Sequence, residues 1–163
     1  MKENNKNGSL IIPTSKSFQE YMAIAIEIAR IGGAIGEVPI GAILICNGEI
    51  IAKAHNQKEF SADPTAHAEM LVIRQGAKKL GRWRLEDCSL FVTAEPCVMC
   101  MGAIIQARIP KLIYGVTEKK FGGVESTASL GKHPMLPRHM EIYGGICEEA
   151  CEELLKTFFE NKR

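Results

Sequence analysis

The sequence predicts a single three-layer α/β/α domain. Three observations carry that reading: a capped amphipathic run near the start, a tight hairpin signal directly after it, and a strand–helix–strand succession in the second half. Ser17 and Glu20 are spaced as a capping box, and Phe18, Tyr21, Met22, Ala25, Ile28 and Ala29 then recur at helical spacing. Gly32 and Gly33 are expected to stop this first helix. Residues 40–46 and 49–54 are apolar-rich runs joined by Asn47-Gly48, the strongest short-range signal for an antiparallel hairpin. Asp63-Pro64 supplies an N-cap and an N1 proline, so a second helix is expected from there to Gly81, with His67 and Glu69 near its beginning. Residues 89–93 read as a short buried strand, Pro96 opens a helix through Ala107, and residues 111–116 read as another strand. A Gly- and Pro-containing stretch over 117–138 leads to a last strand near 139–143 and a final helix over 148–161. There is no internal repeat.

A chain of 163 residues fits one domain, expected over residues 16–163, with the Asn- and Lys-rich residues 1–15 as a mobile lead-in. At 46% hydrophobic and 24% charged, the composition excludes a disordered chain. No run of about 18 apolar residues is present and the N-terminus lacks a secretion-type apolar core, so a cytoplasmic protein with no membrane partner is expected. Six cysteines in that compartment stay reduced, which makes metal binding their leading use. A net charge of +1 neither requires a nucleic-acid partner nor excludes one bound through a local basic patch.

Cys97 and Cys100 stand at i and i+3 on the first turn of an expected helix, so both project to one side and can share one ion. The positive end of that helix favours their thiolate forms. With His67, near the start of its own helix, they offer three ligands for one zinc per chain and leave a fourth tetrahedral position for water, as in a catalytic site. Glu69 is then the proton carrier rather than a ligand. His67-Ala68-Glu69 and Pro96-Cys97-Val98-Met99-Cys100 together resemble the H-x-E and P-C-x-x-C signature of zinc deaminases.

Other candidates have plainer readings. His55, His133 and His139 fall in no ligand-spaced pair, Cys46 and Cys88 read as small buried hydrophobes, and Cys147 with Cys151 has no histidine nearby. Lys78, Lys79, Arg82 and Arg84 form a basic cluster of the kind that is usually a solvated face, and Phe158-Phe159 reads as core.

Beyond the metal signature, Glu37-Val38-Pro39-Ile40-Gly41-Ala42, the block from Asp63 to Met70 and the block from Val92 to Cys100 resemble those of the bacterial tRNA-specific adenosine deaminases, over nearly the whole span from Ser17. The resemblance implies a cytidine-deaminase-like fold with a central mixed five-stranded sheet. It also implies a homodimer with active sites near the subunit interface, and conversion of the wobble adenosine of a tRNA anticodon loop to inosine. It implies substrate contact at Asn56 and along those blocks at Val38, Pro39, Ala94 and Glu95. This chain departs from the family at Ala94, where Leu is usual, at Glu125, where Gly usually precedes Ser126, and over residues 136–139. Glu125 is expected to place a carboxylate where RNA phosphates approach. A deaminase of a free guanine, cytosine or adenosine-type nucleobase or nucleoside is the alternative enzyme. A zinc-stabilised RNA-binding subunit without turnover is a third reading, against which Glu69 argues.

Overall fold

The protein was analysed as a computed structural model, which describes residues 16–163; the lead-in expected over residues 1–15 lies outside them. Helix α1 (Phe18–Ala34) starts with the expected capping box: Glu20 N–H donates to Ser17 Oγ, and Ser17 N–H donates to the Glu20 carboxylate. The helix runs through Gly32 and Gly33 instead of stopping there. A Cβ at Gly32 would sit 2.8 Å from the His55 side chain, so this glycine is there for close packing, and the left-handed residue that turns the chain is Gly36 (φ 93°).

Strands β1 (Gly41–Cys46) and β2 (Glu49–His55) form the hairpin, with Asn47 (φ 51°) and Gly48 (φ 79°) both left-handed as a type I′ turn demands. A short helix that the sequence did not announce, α2 (Lys58–Ser61), ends at left-handed Ala62. Helix α3 (Ala68–Leu80) begins at His67, later than Asp63-Pro64 suggested. The Asp63 carboxylate instead accepts from the Thr65 amide and hydroxyl, closing a local turn. Strand β3 (Cys88–Ala94), helix α4 (Val98–Gln106) and strand β4 (Lys111–Val116) follow as expected, then a 3-10 turn at Leu130–Lys132, the short strand β5 (Glu141–Tyr143) and helix α5 (Glu148–Asn161).

The sheet order is β2-β1-β3-β4-β5, antiparallel from β2 to β3 and parallel from β3 to β5, which is the mixed five-stranded sheet expected. Strand alternation splits the core in two. Leu44, Leu90, Val92 and Leu112 pack with Val72 of α3 and Met101 and Ile104 of α4, while Ile43, Ile45, Phe91 and Ile113 pack with Met22 and Ala25 of α1 and Cys151 of α5. Because β3 and β4 are parallel, the loops leaving their C-terminal ends meet at one edge of the sheet, where such folds place their sites. Among the described residues no helix is long and apolar enough to cross a membrane.

Candidate active site

His67 and Cys97 are the N-cap residues of α3 and α4, each with extended backbone, and Cys100 is the third residue of α4. Two helix N-termini therefore converge, and their positive ends favour anionic sulfur. The ligand atoms of His67, Cys97 and Cys100 lie within 4.8 Å of one another, with Cys97 Sγ 3.6 Å from His67 Nδ1. The neighbouring Cys100 thiol, then the His67 ring, draws the Cys97 thiol down to about 4 against its burial; the same contact raises His67. Cys100, buried beside that sulfur, is pushed up. This set of one nitrogen and two sulfur donors could hold a metal ion.

Glu69 is 3% exposed, and its Oε2 is the one buried side-chain oxygen without a partner among the described residues. Burial pushes its carboxyl up to about 7. A buried oxygen with nothing to bind is costly, and its place beside a metal-competent group fits a water and an ion there.

Asn56, buried at the end of β2, turns its Oδ1 to the Ala68 amide at 2.9 Å. It thus supplies from across the chain the cap that Asp63 was expected to give, and holds His67 and Glu69 in place. Its amide nitrogen has no protein partner among the described residues and is left to donate elsewhere. Glu37 was not singled out by sequence. Buried at the start of the block before β1, it accepts from the Phe60 amide at 2.9 Å and positions α2. A carboxylate inside an apolar block was its only signal.

Elsewhere, both oxygens of the Glu95 carboxylate accept from the loop over residues 118–126. Pro39 packs on Gly33 and lines a cavity of about 410 Å³ with Leu154 and Phe158, on the α1 and α5 side of the sheet. Val38 is half-buried beside it, its carbonyl accepting from the Ile40 amide at 2.8 Å, and Ala94 is buried at the end of β3, three residues before Cys97. Glu125 is exposed, and its Oε1 accepts from the Tyr114 hydroxyl at 2.6 Å. Phe159 is 49% exposed rather than core. In the basic cluster, Arg82 is held bidentately by Asp87, and Arg84 lies over the Trp83 ring at 5.0 Å.

A second group, Cys46, Asp87 and Cys88, is equally close in space because Cys46 and Cys88 are cross-strand partners. Arg82 already occupies both Asp87 oxygens, and burial, then Cys46, pushes the Cys88 thiol up to about 12. The raised Cys88 thiol is disfavoured in the thiolate form that a ligand needs.

Converging helix ends, a metal-competent donor set and a buried carboxylate beside it suit hydrolysis at a bound metal. The sequence profile of the MafB19-like deaminases matches residues 16–163. The tRNA-specific adenosine deaminase of Bacillus subtilis is 44% identical over 143 residues, 88% of this chain and 89% of that protein. A solved tRNA:A34 deaminase, from work on A-to-I editing at the wobble position of transfer RNA, superposes with a TM-score of 0.80 at 41% identity, covering 83% of this chain and 99% of its own. The guanine deaminase of Nitrosomonas europaea superposes with a TM-score of 0.73 at 25% identity, over 87% and 84% of the two chains. The chain belongs to the tRNA-specific adenosine deaminase family.

Proposed function

We propose that this protein is a cytoplasmic, homodimeric enzyme that hydrolyses the wobble adenosine of a tRNA anticodon loop to inosine, with one zinc per chain held by His67, Cys97 and Cys100. The observation that carries the reading is the buried, unpartnered Glu69 carboxylate beside that donor set. Zinc held by these three donors would supply a water acidic enough to attack at neutral pH.

The remaining work falls to the chain's own residues. Glu69 takes the proton of the attacking water, places it on the ring nitrogen next to the carbon bearing the exocyclic amine, and carries protons to the departing amine. One water is consumed, one ammonia leaves and a carbonyl remains. Burial raises the Glu69 carboxyl in the metal-free protein, the direction that makes it a better proton acceptor. The Asn56 amide nitrogen donates to a ring edge or ribose hydroxyl, while its Oδ1 keeps α3 in register. The target base must leave its stack to reach such a buried carboxylate. Exposed Lys119 and Lys120 lie on the loop that closes over the Cys97 backbone and would meet phosphate.

The test is inosine formation in an anticodon stem-loop, run beside ammonia release from guanine, cytosine, adenosine and their nucleosides. Turnover of the stem-loop supports the reading. An unmodified stem-loop with ready release from a free base would replace it with the nucleobase deaminase reading, which the guanine deaminase likeness makes the natural second choice.

A further inference from the structure

Immediately before Pro96 and Cys97 stands a carboxylate that the proposed chemistry does not use. Glu95 is 3% exposed. Its Oε1 accepts from the amides of Val124 (3.1 Å), Glu125 (2.8 Å) and Ser126 (3.0 Å), and its Oε2 from the Glu118 amide (3.0 Å) and the Ser126 hydroxyl. Five donors from one loop thus converge on one side chain. The same loop is fixed twice more. Gly123 N–H donates to Pro96 O at 2.7 Å while Gly122 bridges Cys97, and Glu125 is held by Tyr114, itself 1% exposed. Neither glycine tolerates a side chain: a Cβ on Gly122 would lie 2.5 Å from Glu95 Oε2, and one on Gly123 would lie 2.7 Å from the Cys97 backbone. Burying a carboxylate is costly unless it is fully bonded, and here the bonding serves to freeze a loop against a metal-ligand backbone.

What the frozen loop holds outward is Phe121, 62% exposed, with Lys120 Nζ 5.1 Å from its ring centroid. An aromatic face and an ammonium fixed in water, one residue from the segment touching Cys97, do nothing for the core. They match the two groups that single-stranded nucleic acid offers, a base face and a phosphate.

We propose that Phe121 and Lys120 form a stacking and phosphate subsite for the nucleotide next to the target base, and that Glu95 is the positioning residue that preorganises it. The proposal rests on the RNA reading above and names where a neighbouring nucleotide is held. Preorganisation matters because a loop already ordered loses little entropy on binding.

The experiment measures kcat and KM on an anticodon stem-loop with the zinc-loaded protein. Phe121→Ala is expected to raise KM by about 5- to 150-fold, the size of a base-stacking contribution of about 1–3 kcal/mol, with kcat and zinc content unchanged. Phe121→Trp should restore KM to within about twofold of wild type. Lys120→Ala should flatten the salt dependence of binding by about 0.7 in slope. Glu95→Gln should raise KM likewise and speed amide exchange of Glu118 and Val124 to Ser126 at unchanged zinc. Wild-type stem-loop turnover with Phe121→Ala indistinguishable from it overturns this proposal alone. Faster exchange in Glu95→Gln with a normal KM overturns the positioning role. No wild-type turnover of the stem-loop overturns the RNA reading and the subsite with it.

Discussion

Glu69→Gln separates stability from function in a direction that ordinary core substitutions do not. Glu69 is 3% exposed and its Oε2 has no partner among the described residues, so in the metal-free protein the carboxylate is a buried liability. Leaving such a group unsatisfied costs about 1–3 kcal/mol. Glutamine keeps the volume and cannot ionise, so above the raised folded pKa metal-free Glu69→Gln should be more stable than wild type, by no more than that amount because its amide still needs partners. For a domain of this size about 1 kcal/mol moves Tm by roughly 2–4 °C, giving a rise of roughly 2–12 °C. Turnover should meanwhile fall by about 100- to 10,000-fold, the contribution of a positioned acid–base group, while zinc binding persists because the three ligands are untouched. Thermal unfolding with and without chelator, metal analysis and an ammonia-release assay measure the three quantities. A Glu69→Gln enzyme within tenfold of wild-type turnover would refute the proton-carrier assignment, and a metal-free variant less stable than wild type would refute the reading of Glu69 as a strained, unpartnered charge.

Three further outcomes are expected. Elemental analysis should find about one zinc per chain, abolished by Cys97→Ala and unchanged by the double substitution Cys147→Ala with Cys151→Ala, because only the first set forms a group with an open ligand position; two zincs per chain would mean that Cys46 and Cys88 ligate after all. Charge reversal at Lys119 and Lys120 should weaken RNA turnover most at low salt, leaving zinc content intact, and a salt-independent effect would remove phosphate contact as its cause. Burial would raise the Glu95 carboxyl, but the bonds from Ser126, Glu125 and Glu118 win and hold it below the ordinary 4.5. A depressed folded pKa gives stability that is present above 4.5 and lost as pH falls through the lower folded value. Exchange protection of the 118–126 amides should therefore hold from neutral pH down to about 4.5 and fade below it. Glu118, Glu125 and Tyr114 also face the group, so Glu95→Gln is the control, and an unchanged acid profile in that variant would assign the effect to them.

The site was legible where its residues are contiguous. His67 with Glu69, and Cys97 with Cys100, declare their chemistry through spacing that a helix turn converts directly into proximity, and the structure brings the three candidate ligand atoms together with the carboxylate beside them. It was illegible where a bond spans the chain. Asp63-Pro64 looked like the cap of α3, because a cap is ordinarily found just before its helix, yet the oxygen near the helix start is Asn56 Oδ1, twelve residues before the Ala68 amide it accepts from. Glu95 was expected as a substrate contact from the family resemblance, and its bonding was equally hidden. In the sequence it is merely a charged neighbour of a catalytic cysteine, and the five donors that consume it come from positions 23 to 31 residues away. Gly32 and Gly33 show the converse failure: what looked like a local stop signal is packing across the fold, His55 lying against Gly32 and Pro39 against Gly33. Glu125 joins these cases. As a departure from the family pattern it looked like a charge set against phosphate; the residue is exposed, and nothing in the sequence signalled that the Tyr114 hydroxyl would also donate to it. A residue foreign to the family at this position therefore ties to β4 the same loop that carries the exposed Phe121, a link across eleven residues that no local pattern announces.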